Sequence, residues 1–209
     1  LDPEGNYFIS NVGGGATDEK DGDGYITVVY PEGDIAIERW AEGLNAPKGM
    51  VVQNGTLFVT DIDTVHRFDM YSGAAFDPIV VEGSELLNDA TLWREQVYVS
   101  DSRTGRIHRI TEEGAEVWKE GDELTGVNGL LGDGDRMLIA TMETGSLYAA
   151  DADGTLTTIA SGMLNADGIG IVPDGGYMVS SWPGEVYYVS DEGEVTSVDR
   201  KSTRLNSSH

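Results

Sequence analysis

Apolar and β-branched residues in this chain fall in short runs, each closed by a small polar residue or a glycine turn. The runs YFISN, LFVTD, VYVSD, MLIAT and YMVSS end at Asn11, Asp61, Asp101, Thr141 and Ser181, at steps of 50, 40, 40 and 40 residues. Around each run the same neighbours recur in the same order. A turn-like start precedes it in PKGMVV (47–52), LNDATLW (87–93), VNGLL (127–131) and ADGIGIV (166–172). A second β-run follows: ITVVY, TVHRF, RIHRI, SLYAA or EVYYV. After another turn comes a third: IAIERW, DPIVVE, AEVWKE, LTTIA or EVTSV. Short β-branched and aromatic runs between Gly, Asp and Asn turns predict strands. No segment carries an amphipathic stripe of period 3.6.

Four strands per unit of about 40–45 residues predict the blade of a β-propeller. A sandwich or an up-and-down barrel is the competing architecture, but neither demands a fixed 40-residue step. Five units are visible, and the first lacks an innermost strand. The ten extra residues between Asn11 and Asp61 lie in GGGATDEKDGDG (13–24), read as a long insertion that rims the first blade. Its alternating acids invite comparison with an EF-hand loop. However, the first position is Glu19, the twelfth is Tyr30, and no helices flank it, so a solvated hairpin is the better reading.

Composition narrows the function classes. The 209 residues hold 13 Lys+Arg against 37 Asp+Glu, a formal charge of −24, and no cysteine. So acidic a surface repels nucleic acid and anionic lipid and favours cations. No run reaches the ~20 apolar residues of a spanning helix. Disulfides and thiolate metal sites are excluded, and with no serine in a nucleophile elbow, covalent catalysis has no support. The last eleven residues, DRKSTRLNSSH (199–209), turn abruptly basic and Ser-rich, and they resemble a translated sequencing adaptor. Residues 1–198 are accordingly expected to form a single propeller domain truncated at both ends, and the tail is expected to pack against nothing.

In a propeller the start of each innermost strand faces the central channel. Those positions read Lys48-Gly49, Asn88-Asp89, Asn128-Gly129 and Asp167-Gly168. This set, with LNAPKGM, VYVSD and VNGLL, resembles the senescence marker protein (regucalcin)/gluconolactonase/luciferin-regenerating enzyme family of six-bladed propellers. The resemblance implies a metal-dependent hydrolase of a lactone or similar small ester, with a divalent cation in the channel. It puts Asn128 and Asp167 on two metal positions and Asn88 on a substrate position, with Asp167 also the catalytic base. A third ligand, a Glu, would precede Leu1, and a sixth blade would follow Val198. The piece by itself is therefore expected to be inactive.

The residue chemistry suits that expectation. An all-oxygen donor set argues for a hard ion, calcium first, with magnesium, manganese or zinc as alternatives. Lys48 points to the same axis, where it orients an anionic substrate group or merely offsets the acidic channel. A small-molecule partner, a lactone or sugar acid, and a monomer are expected. The competing reading for Asn128 and Asp167 is a turn role alone, because Asn-Gly and Asp-Gly are default turn dipeptides. At the level of function the rival is a non-catalytic propeller of NHL-like repeats that binds a protein or glycan. His66 and His108 share a repeat position with Tyr148 and Tyr187, which predicts strand packing.

Overall fold

The computed structural model describes residues 2, 4–182 and 184–198; the basic tail, with the expectation attached to it, lies outside the described residues. Five antiparallel sheets follow one another along the chain. Blade I holds β1 (Tyr7–Asn11), β2 (Gly24–Val29) and β3 (Ile35–Leu44), and blade II holds β4 (Pro47–Gln53), β5 (Thr56–Asp61), β6 (Thr64–Asp69) and β7 (Ala75–Val80). Blade III comprises β8 (Leu87–Trp93), β9 (Gln96–Asp101), β10 (Arg106–Thr111) and β11 (Gly114–Glu120). Blade IV comprises β12 (Val127–Asp133), β13 (Arg136–Thr141), β14 (Ser146–Ala150) and β15 (Leu156–Ser161). Blade V comprises β16 (Ala166–Ile171), β17 (Tyr177–Ser181), β18 (Val186–Val189) and β19 (Val195–Ser197). Each sheet runs in chain order, and the first strands β4, β8, β12 and β16 pack side by side. The chain is an all-β propeller, as the 40-residue step predicts.

The core explains why the second-strand runs are almost wholly apolar. Successive side chains of a strand point to opposite faces, and here both faces of blades II, III and IV are covered. On β13, Met137 and Ile139 enter the seam with blade III, while Leu138 and Ala140 enter the seam with blade V. On β5, Leu57 and Val59 face blade I and Phe58 faces blade III. Four such clusters join the five blades in series. The aromatic ends interlock as well: Trp93, Tyr98 and Trp118 meet edge to face or tilted, with centroids 5.2–5.9 Å apart.

Two strand boundaries differ from expectation. β7 starts at Ala75 and stops at Val80, because Val81 N–H leaves the ladder to bond Asp63 O at 2.9 Å. β3 runs to Leu44 because its pairing with β2 absorbs three register shifts. A short 3₁₀ turn, Asp122–Leu124, leads into β12 and buries Leu124.

Candidate functional site at the channel mouth

Every complete blade begins with the same irregularity. Pro47 pairs with Asp61 and Met50 with Val59, so Lys48 and Gly49 together oppose the single residue Thr60. The same count sets Asn88-Asp89 against Ser100, Asn128-Gly129 against Ala140 and Asp167-Gly168 against Ser180. These are β-bulges, which re-aim side chains out of the ladder. The dipeptides singled out from sequence are therefore bulge residues on adjacent inner strands, as turn-like chemistry inside a strand requires.

The opposing hydroxyl fills the gap that the bulge opens. Ser100 Oγ accepts from Asp89 N–H at 2.9 Å and donates to Asn128 O of the next blade at 2.7 Å. Thr60 Oγ1 likewise donates to Asn88 O, and Gly168 N–H donates to Ser180 Oγ at 2.8 Å. Gly129 is required by close approach, since a Cβ there would lie 2.1 Å from Asp167 O. That clash places Gly129 of blade IV directly against the Asp167 backbone of blade V.

Asp89 is the residue that sequence reasoning passed over. It stands where blades II, IV and V carry Gly49, Gly129 and Gly168, and that substitution is the signal that could have found it. Its Oδ2 accepts from Leu130 N–H across the blade boundary at 2.9 Å, and Oδ1 accepts from Ala90 N–H at 2.8 Å. Burial pushes its carboxyl up to about 6, against those two hydrogen bonds, and the Asp167 charge adds to the rise.

The four predicted residues differ in their partners. Asn88 is half-buried and donates to Ser102 Oγ at 3.2 Å, which in turn donates to Val127 O at 2.7 Å. Lys48 is half-buried, and its Nζ turns to Thr17 O at 2.8 Å and Ala46 O at 2.9 Å. Burial lowers its pKa, while Asp61 and Asp18 oppose that shift. Asn88 Oδ1 accepts no hydrogen bond among the described residues, and Asn128 and Asp167 likewise keep open oxygens. Asn128 is only 6% exposed; its Nδ2 meets Met142 Sδ at 3.1 Å, and its Oδ1 accepts no hydrogen bond among the described residues. Asp167, half-buried, has a carboxylate that accepts none among them either, and burial raises its pKa. Unpartnered oxygens on neighbouring strands fit a hard cation. Among the described residues, no group of three or more His, Cys, Asp or Glu side chains is placed to hold a metal.

The histidines line a different structure. Asp61 accepts from Asn45 and Ala46 N–H, both at 2.7 Å, and from His66 Nε2 at 3.2 Å, so it ties the connector entering blade II. Asp101 does the same for Glu85 and Leu86 at 3.0 Å. His108 is buried, with its Nε2 unpartnered and 4.0 Å from Asp101. Strand packing accounts for His108, whereas His66 also hydrogen-bonds Asp61. A surface depression between blades II and III, near Phe58, Arg67 and Leu92, lies by the far ends of the inner strands, away from this set.

No protein-family model and no curated protein sequence matches the chain. Solved structures do resemble it. A chain of the nidogen/laminin complex superposes with a TM-score of 0.75 at 12% identity, covering 93% of this chain and 78% of its own length. A catalytically inactive virginiamycin B lyase from Staphylococcus aureus, solved with quinupristin, gives 0.66 at 15%, covering 82% of this chain. The chain spans 61% of that lyase's length. A streptogramin B lyase gives 0.64 at 10% identity. This likeness shows the propeller fold, shared by enzymes and by a matrix-complex protein, and fold alone does not choose between such functions.

Proposed function

We propose that the channel mouth binds a divalent cation, calcium first among the hard ions, and that the complete propeller hydrolyses a lactone or similar small ester. The observation that carries this reading is the pair of unpartnered oxygens, Asn128 Oδ1 and the Asp167 carboxylate, on adjacent inner strands. A half-buried carboxylate that no protein donor occupies is free to meet a cation. Asn128 and Asp167 would hold such a cation, which would supply Lewis acidity toward a ring carbonyl and acidify a water. The Asp167 carboxylate would serve as the base that takes the proton of the attacking water. Asn88, anchored by Ser102, orients the substrate. Asp89 ties blade III to blade IV, which keeps Asn128 in place.

The rival is a protein- or glycan-binding propeller, a class that shares this fold through a chain of the nidogen/laminin complex. Calorimetric titration of calcium, magnesium, manganese and zinc into chelator-treated protein separates the two. Asp167→Asn is expected to abolish the binding heat. In a six-bladed form engineered to add a channel Glu, the same substitution is expected to cut lactone hydrolysis about 10²-fold or more. Equal metal binding by both proteins, with no hydrolysis by either, supports the scaffold.

A further inference from the structure

The long loop of blade I does not stand out as a free hairpin. Thr17 O accepts from Lys48 Nζ of blade II at 2.8 Å, and Lys20 Nζ reaches Asp63 Oδ2 of blade II at 2.5 Å. Asp18, next to Thr17, pairs with Arg103 in the β9–β10 turn of blade III. The segment 17–20 is thus a strap laid from blade I across the mouths of blades II and III. Its residues meet two cations beside the channel, in a chain where acids outnumber bases 37 to 13.

We propose that Lys48 and Arg103 form a subsite for a small carboxylate ligand, and that the Asp18 carboxylate of the strap occupies it as a built-in competitor. Lys48 gives two of its ammonium hydrogens to backbone carbonyls, leaving a third donor. Arg103 presents a planar fork that matches a carboxylate. Lys48 Nζ holds the carbonyl of Thr17, the residue before Asp18, while Arg103 pairs with the Asp18 carboxylate, so both cations meet adjacent residues of the strap. Both members of the Asp18–Arg103 pair remain partly exposed, at 37% and 46%, so an incoming anion can exchange with it. The proposal rests on the reading that the channel takes a small-molecule substrate. A sugar acid, the product of lactone opening, carries the matching group.

The test is calorimetric titration of gluconate, with neutral sorbitol as control, into wild type, Asp18→Asn, Asp18→Ala and the double variant Asp18→Asn/Arg103→Gln. Removing the competing charge is expected to tighten gluconate binding about fivefold in both single variants, the scale of one exposed ion pair. The gain is expected to vanish in the double variant, and sorbitol is expected to bind none of them. Single variants no tighter than wild type, or a gain that survives loss of Arg103, would overturn the proposal. The titration is run in chelator, so failure of the cation reading leaves this result interpretable, and failure here leaves the calcium titration intact.

Discussion

Blade III and the blade IV–V boundary are copies of one bulge, yet they use it in opposite ways. At blade III, both carboxylate oxygens of the bulge's acid are bonded within the protein, although Asn88 Oδ1, like Asn128 Oδ1, accepts no hydrogen bond among the described residues. Asn88 leans on Ser102, Asp89 bridges to Leu130, and Ser100 links Asp89 to Asn128 O. At the next boundary Ala140 replaces the serine and Gly129 replaces the aspartate, while Asn128 Oδ1 and the Asp167 carboxylate stay without donors among the described residues. The same backbone geometry therefore bonds one carboxylate, Asp89, into a staple between blades and leaves another, Asp167, without a protein donor among the described residues.

The largest effect expected from this contrast is on stability. Asp89→Ala orphans the N–H groups of Ala90 and Leu130 and is expected to cost about 2 kcal/mol, since each buried unsatisfied donor costs about 1–3 kcal/mol less any relief of the buried charge. Asp167→Ala removes no hydrogen bond and is expected to stay within about 0.5 kcal/mol of wild type. Urea denaturation of both reads the difference directly. Equal losses would erase the distinction between staple and site.

A second measurement uses pH. The carboxyl of Asp89 lies at about 6 in the folded protein against a reference of 3.8, so folding favours its protonated form. Its contribution to stability is full below pH 3.8 and falls as pH rises to about 6, where the folded protein must ionise it. Asp61 moves the other way: burial opposes, but His66 and two backbone N–H groups hold it below 3.8, so its contribution is lost only under stronger acid. Thermal melts from pH 4 to 7 are expected to show a decline in wild type that is shallower in Asp89→Asn. Parallel curves would assign the titration to another group.

Much of this was legible in the sequence, and the rest was hidden for definable reasons. A strand buried on both faces must be apolar throughout, so MLIAT and LFVTD announce themselves, and their repetition gives the blades. The channel positions follow because bulges need turn-compatible residues, which is why Asn128 and Asp167 are visible as dipeptides. Asp89 was hidden because the Asn-Asp pair drew attention to Asn88, and its partner Leu130 lies 41 residues away. The strap was hidden for a similar reason. Asp18 meets Arg103 across 85 residues, and an exposed ion pair leaves no periodicity to read.

The finest test converts one boundary into the other. Ala140 is fully buried opposite the Asn128-Gly129 bulge, at the repeat position of Ser100 and Thr60, whose hydroxyls donate to the next blade's inner strand. By that pattern the hydroxyl introduced by Ala140→Ser would face Asp167 O. A bond formed there is expected to stabilise the protein by about 1 kcal/mol, whereas a hydroxyl left unpaired costs about 1–3 kcal/mol. The sign is therefore decisive where the magnitude is small. We expect a gain, because Gly129 already brings the Asp167 carbonyl against blade IV, within 2.1 Å of an added Cβ. A loss of stability in a urea melt would mean that blades IV and V meet in a geometry different from that of blades III and IV. The equivalence of the bulges, on which the comparison rests, would then fail at the boundary that carries the candidate site.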